Sequence, residues 1–578
     1  MKRTPIDLCG RRKNRLVDSS LQVSRSRYLR AFATARAMRF WRPRTIGKAI
    51  GTAAFAALLA IGSSEARAQL FPASFDLSTL DGTNGFVLNG IDSFDSSGVS
   101  VSGTGDVNGD GIDDLIIGAS GGDPNGISSA GESYVVFGRI GGASASFDLS
   151  TLDGTNGFVI NGIDFGDGSG NSVSGAGDVN GDGIDDVIIG ADREGDDYSG
   201  ASYVLFGRNS GFSSSLNLST FNGTNGFAIN ATGAYDYSGR SVSGAGDVNG
   251  DGFDDVIVGA PGDIGYGEGD SYVVFGNNSG FSSSLNLSTL DGTNGFAING
   301  IATGGRSGSS VDGAGDINGD GIDDVIVGAP GSSAGKSYVM FGQNGGFSPS
   351  FDLTTLDGTN GFVLDGIDSG DYSGVSVSRA GDINGDGIDD LIIGAATADP
   401  NGNTQAGESY VVFGQNSAFS AIFDLGALDG TNGFTINGID TNDFSGISVS
   451  AAGDVNGDGI DDLIIGSNSG PNGESYVVYG KDIGFSSSLD LNSLDGTNGF
   501  ALIGIDLDDL SGSSVSGAGD VNGDGIDDLI IGARGADPYG NARAGESYVV
   551  FGRAVPEPGS AALFGAGLLG WFTRRRRR

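Results

Sequence analysis

From Phe86 to Gly552 the sequence is one unit repeated seven times, and a repeat of roughly 70 residues leaves few ways to fold. An acidic motif recurs with its first residue at Asp106, Asp178, Asp247, Asp316, Asp382, Asp454 and Asp520, at spacings of 72, 69, 69, 66, 72 and 66. A second marker, GTNGF, also occurs seven times, ending at Phe86, Phe158, Phe227, Phe296, Phe362, Phe434 and Phe500. Within a unit four short runs read as strands: GVSVSGTG from Gly98, DLIIGA from Asp114, SYVVFG from Ser133 and FVIN from Phe158. They are rich in β-branched and aromatic residues and bounded by Gly, Asn and Asp, and no stretch of the body carries a helical period. Four strands per unit make a blade, so the expected fold is all-β, a seven-bladed β-propeller. The body opens on fourth-strand sequence at Phe86 and ends on third-strand sequence at Ser547 to Gly552, so blade seven must take its outer strand from the N-terminal end. That exchange closes the ring and removes free edges. A linear solenoid would want distinct capping repeats, and none is visible.

Charge separates the body from its ends. Of the 31 Lys and Arg, 15 lie in residues 1 to 68 and five form the terminal run Arg574 to Arg578. Residues 69 to 573 therefore hold 11 basic against 69 acidic residues, a net of −58. No nucleic-acid partner suits such a surface, whereas divalent cations do. Histidine is absent and the one cysteine is Cys9, which excludes disulfides, Cys/His zinc sites and imidazole-based catalytic triads from the body.

Residues 46 to 62, IGKAIGTAAFAALLAIG, follow the basic RFWRPR and precede Ala66-Arg67-Ala68, the pattern of a secretory signal with cleavage before Gln69. The basic lead is long, and Met38 offers an alternative start that would give a signal of ordinary length. Residues 1–68 are thus a signal region, 69–554 the propeller and 555–578 a tail. The tail, VPEPGSAALFGAGLLGWFTRRRRR, resembles the PEP-CTERM sorting signal, with Pro556-Glu557-Pro558, a short apolar segment and a basic stop in order. The resemblance implies processing by a membrane protease of the exosortase type, only transient contact with the membrane, and a secreted or cell-surface location in a Gram-negative bacterium.

The acidic motif, DVNGDGIDDLIIGA in the first unit, begins like a calcium-binding EF-hand loop but has Ile117 where that loop needs its twelfth, acidic residue. Together with the full GAP at Gly259 to Pro261 and Gly328 to Pro330, it resembles the FG-GAP repeat of the integrin α-subunit propeller, across all seven units. One departure is consistent: Ser-Gly stands where the family has Phe-Gly, as at Ser97-Gly98 and Ser238-Gly239, which leaves the packing at that point open. The resemblance implies a Ca²⁺ in each loop, up to seven in all. Side-chain oxygens would come from the first-position Asp named above, from Asn108, Asn180, Asn249, Asn318, Asn384, Asn456 and Asn522 at position three, and from Asp110, Asp182, Asp251, Asp320, Asp386, Asp458 and Asp524 at position five. Ile112, Ile184, Phe253, Ile322, Ile388, Ile460 and Ile526 would give backbone carbonyls. Asp114, Asp186, Asp255, Asp324, Asp390, Asp462 and Asp528 at position nine would close the site, freeing the next residues to enter a strand. The position-eight carboxylates, Asp113 and its equivalents, are expected to point away from the ion.

If the calcium loops join strands one and two on one face, the variable connections, two to three and four to one, lie on the other. That face offers Phe94, Phe165, Tyr198, Tyr235, Tyr237, Tyr266, Tyr372, Phe444 and Tyr539, with Tyr235, Tyr237 and Tyr372 as candidate ligand contacts. The functional expectation is a non-enzymatic, exported, calcium-binding monomeric propeller for cell adhesion or the extracellular matrix, binding polysaccharide or a surface protein. The alternative is a polysaccharide-active hydrolase or lyase using loop carboxylates as acid and base. A dockerin-like EF-hand pair fails on Ile117 and on the missing helix.

Overall fold

The computed structural model describes residues 71–554 apart from 142–143, 196, 232, 264–266, 470–471 and 483. Residues 1–70, which include the signal region 1–68, the sorting tail and Tyr266 lie outside the described residues. The described chain forms seven antiparallel sheets, each with one short parallel strand added, and the first strand of every sheet lines one central cavity of about 730 Å³. This is the seven-bladed propeller that the repeats require.

Blade one consists of Ser100–Gly105, Asp114–Ala119, Glu132–Val136 and Gly157–Asn161, and the other blades begin at Ser172, Ser241, Ser310, Ser376, Ser448 and Ser511. Each sheet has five strands rather than the expected four. The extra strand is a three-residue run such as Ser215–Asn217, which lies between strands three and four of its own repeat but pairs in parallel with Gly157–Asn161 of the preceding blade. Three residues are too few for a periodic signal, so SLN and SFD read as loop in the sequence. Each run is followed by a 3-10 turn, as at Leu77–Thr79, where Asp76 accepts the Ser78 N–H at 2.9 Å.

Closure follows the expected exchange. Gly85–Asn89 pairs antiparallel with Glu546–Val550 and becomes the fourth strand of blade seven. Ser74–Asp76, just upstream, pairs with Gly499–Ile503 of blade six. The N-terminal segment therefore bridges two blades. Phe71 stacks on Phe500 at 4.0 Å and 4° between planes, and the Arg553 guanidinium lies 4.7 Å over its ring.

The core lies between blades. Ile116 and Val135 of blade one cluster with Val187, Ile189 and Tyr203 of blade two, while Leu115, Ile117 and Tyr134 face Ile530 and Val549 of blade seven. A sheet sandwiched between two others is apolar on both faces, which is why DLIIGA shows no alternation and is buried at all six positions. Blades also approach at backbone distance. A Cβ on Gly118 would stand 2.0 Å from the Gly170 carbonyl oxygen, so the Gly of each IIGA is imposed by the neighbouring Ser-Gly. The Ser of that dipeptide is itself buried in the seam: Ser97 is 1% exposed and donates its N–H to Ala544 O at 2.9 Å.

Candidate metal centres and the opposite face

The acidic loop is a turn that its own side chains hold shut. Asp106 accepts three backbone N–H groups: Gly109 at 2.7 Å, Asp110 at 2.9 Å and Gly111 at 2.6 Å. Asp110 accepts the Ile112 N–H at 3.1 Å. Asp114 is wholly buried and takes the Val107 N–H at 3.1 Å and the Gly138 N–H at 2.9 Å. Asn108 turns its amide nitrogen to Asp114, 3.2 Å from each carboxylate oxygen, which leaves its own oxygen directed elsewhere. In blade six the corresponding oxygen, Asn456 Oδ1, is buried and has no hydrogen-bond partner, an acceptor that a cation would satisfy.

Burial pushes the Asp114 carboxyl up to about 8, and the nearby Asp110 and Asp106 charges add to the rise. The equivalents Asp186, Asp255, Asp324, Asp390 and Asp528 are raised to about 8 in the same way, and Asp462 is raised as well. All seven loops thus gather hard oxygen donors around a crowded carboxylate, a donor set suited to Ca²⁺. Among the described residues no three acidic side chains converge into a ready-made cage, and each set counts an Asn and a backbone carbonyl among its donors. Carboxylate oxygens that accept one N–H retain a second lone pair for a metal.

Position eight holds what the sequence reading missed. Asp185 Oδ2 accepts the Asp106 N–H of the preceding blade at 2.8 Å, and Asp254 does the same for Asp178 at 2.7 Å. The pattern continues through Asp323, Asp389, Asp461 and Asp527 and closes where Asp113 accepts the Asp520 N–H at 2.8 Å. Each position-eight carboxylate therefore clamps the start of the neighbouring acidic loop. The seven clamps also line the central cavity. One signal was available: a second Asp beside the position-nine Asp in every repeat is more than a solvated turn needs. In the same cavity Asp312 replaces Ser and accepts from Ser243 Oγ and from Ser378 Oγ at 2.7 Å, so the sevenfold symmetry breaks between blades three and five.

The variable loops occupy the other face. Tyr198, Tyr235 and Tyr372 are 44, 51 and 52% exposed, and Phe94, Phe165 and Tyr539 are more exposed still. Of the three candidate contacts, Tyr235 and Tyr237 meet Tyr198, with ring centroids 6.1 and 6.0 Å apart, whereas Tyr372 stands in another blade, within electrostatic reach of Arg306. The residue just before each Ser-Gly is left-handed in all seven repeats, with φ from 52° to 64°. Gly168 occupies that place in repeat two and Ser96 in repeat one, but Tyr237, Arg306, Tyr372, Phe444 and Leu510 occupy it in the next five. A left-handed side chain of that size costs about 1–2 kcal/mol.

Comparison with known proteins agrees with this architecture. FG-GAP repeats match residues 97–136, 169–205, 238–274, 307–340, 373–412, 445–478 and 511–550, and a PEP-CTERM protein-sorting motif matches 554–578. The chain is similar to phosphatidylinositol-glycan-specific phospholipase D of Dictyostelium discoideum, 30% identical over 54% of this chain and 33% of that protein. It is also similar to integrin alpha pat-2 of Caenorhabditis elegans, 32% identical over 38% of this chain and 17% of that one. Integrin alpha-4 of Xenopus laevis is 34% identical over 28% of this chain and 15% of its own length. The chain thus spans a third or less of the length of these relatives.

Proposed function

The chain is an FG-GAP repeat β-propeller protein carrying a PEP-CTERM sorting motif, and from that premise we propose that it is a calcium-stabilised binding protein of the cell surface or extracellular matrix. The sorting motif marks it for export from a bacterial cell, by the route of an exosortase-type protease. The observation that carries the reading is the division of the two faces. One face repeats the same acidic turn seven times, down to the hydrogen bonds, and the other differs from blade to blade and exposes aromatic rings.

Calcium serves as a structural ion here. Each site would be held by the first-position Asp, the Asn at three, the Asp at five, the backbone carbonyl at seven and the Asp at nine. The ion offsets the repulsion among three carboxylates, and its binding free energy becomes folding free energy. The binding face is the opposite one, and its ligand is polysaccharide or another surface protein. A non-enzymatic role is favoured because every carboxylate of the repeated loops is engaged in closing a turn or clamping a neighbour, and the sequence offers no histidine. Phospholipase D relatives share the repeats, so the reading needs a direct test. Calcium-loaded mature protein should be retained on the producer's extracellular polysaccharide or cell surface without releasing new reducing ends or unsaturated products. Product release would favour the hydrolase or lyase alternative, and no retention on either material would remove the binding reading.

A further inference from the structure

Lysine and arginine are scarce in the propeller, with 11 in residues 69 to 573, so a place where two arginines stand on turns of adjoining blades is informative. Arg240 and Arg306 form such a place on the variable face. Arg240 starts the turn into blade three and pairs with the buried Asp192 at 2.8 Å. That carboxylate already has Arg193 at 3.9 Å. Arg306, at the same turn of the next blade, makes no ion pair among the described residues, and its buried Nε has no hydrogen-bond partner. Burial and the adjacent Arg240 both push the Arg306 guanidinium down from its ordinary value. A half-buried cation with no ion pair and an unsatisfied Nε is complementary to an anion, and the guanidinium fork matches a carboxylate.

Aromatic rings flank this pair on both sides. Tyr372 stands on the same turn of the following blade, which adjoins so closely that a Cβ on Gly328 would meet the Gly374 carbonyl oxygen at 2.2 Å. On the other side the Arg240 N–H bonds to Tyr237 O at 3.1 Å, and Tyr237 and Tyr235 both lie against Tyr198. All four tyrosines hold left-handed backbones, φ 52° to 65°, at half-exposed or exposed positions, where packing does not require them. A run of rings interrupted by an unpaired guanidinium suits an extended chain of sugars with a carboxylate at intervals. A rigid apolar partner would not use the arginines.

We infer that blades two to five carry a binding site for acidic polysaccharide, with Arg306 and Arg240 holding the carboxylate of a uronic acid residue while Tyr198, Tyr235, Tyr237 and Tyr372 stack on neighbouring sugar rings. The inference rests on the proposed glycan-binding role and adds the charge class of the ligand and its location.

The test uses calcium-loaded mature protein, at constant calcium, against short oligosaccharides of glucuronate, galacturonate and mannuronate, each beside its carboxyl-reduced counterpart. The acidic form of at least one should bind about 10- to 100-fold tighter than its neutral counterpart, with affinity falling as salt rises. Arg306→Gln should remove that preference, Arg306→Lys should keep part of it, and Tyr235→Ala should weaken acidic and neutral forms alike. Unchanged calcium-dependent melting confirms that a variant is folded, and Arg306→Lys serves if the Gln form is not. Equal binding of acidic and reduced sugars that is still lost in Tyr235→Ala would overturn the anionic inference and leave glycan binding standing. No binding of any sugar would remove both. An acidic peptide bound more tightly than every uronate would reassign the site to a protein partner and overturn the inference.

Discussion

Replacing Asp461 tests whether the position-eight carboxylate is a clamp between blades or only a solvated charge. Its Oδ2 accepts the Asp382 N–H of the preceding blade at 2.9 Å. Burial raises its carboxyl above the ordinary range, that hydrogen bond opposes the rise, and the Asp382, Asp389 and Asp454 charges add to it. Two opposed effects are therefore present, an acceptor that is needed and a charge that is not. Asp461→Asn keeps an acceptor oxygen and removes the charge, so its net effect should lie within about 0.5 kcal/mol of zero. Asp461→Ala removes the acceptor and leaves the Asp382 N–H unpaired in a half-buried seam, at a cost of about 1–3 kcal/mol. Spread over a cooperative unit of this size that loss moves the melting temperature by only about 1 °C per kcal/mol, so a local readout is preferable. Hydrogen exchange of the peptide containing Asp382 should accelerate about 10- to 100-fold in the Ala variant and stay near parental in the Asn variant. Calcium must be saturating in both, since Asp382 also opens an acidic loop. Equal acceleration in the two variants would mean that the charge and not the hydrogen bond mattered, and no acceleration in either would refute the clamp.

Three further outcomes follow from the same structure. Chelation should lower the melting temperature steeply, because a site held at about 100 times its dissociation constant contributes ~2.7 kcal/mol and seven such contributions add; unchanged melting in excess chelator, followed by circular dichroism, would show that the ions are not structural. Phe71→Ala removes a ring that is 3% exposed and stacked on Phe500, and at about 3–5 kcal/mol it should release the N-terminal segment to limited proteolysis before any other part of the propeller. On the variable face burial, and secondarily Glu132, pushes the Asp95 carboxyl up to about 7, and burial pushes Glu194 to about 7. A raised carboxyl contributes stability that is complete below its unfolded value near 4 and lost as pH rises through the folded value. At saturating calcium, urea midpoints should therefore fall between about pH 4 and pH 7, by up to ~1.4 kcal/mol per pH unit for each group, and Asp95→Asn should flatten the fall.

Much of this molecule is legible along the chain because its information is repeated. Seven copies of GTNGF and of the acidic turn determine the blade count, and the order of strand sequences at Phe86 and Ser547 determines how the ring closes. The donor types of the acidic loops are likewise local, since a nine-residue turn brings its own side chains together. The features that only the tertiary structure decided all lie between repeats. Ser215–Asn217 has too few residues to show a period and becomes a strand because the edge of the previous blade offers unpaired backbone groups. Asp113 looks like a spare carboxylate until ring closure places it against Asp520, 407 positions away in sequence. Arg306, Arg240 and Tyr372 belong to three different repeats, and nothing in any one of them indicates that their turns adjoin in the ring. Periodicity reports which face of its own sheet a residue occupies, whereas contacts across a seam depend on how two sheets pack, which no single repeat encodes.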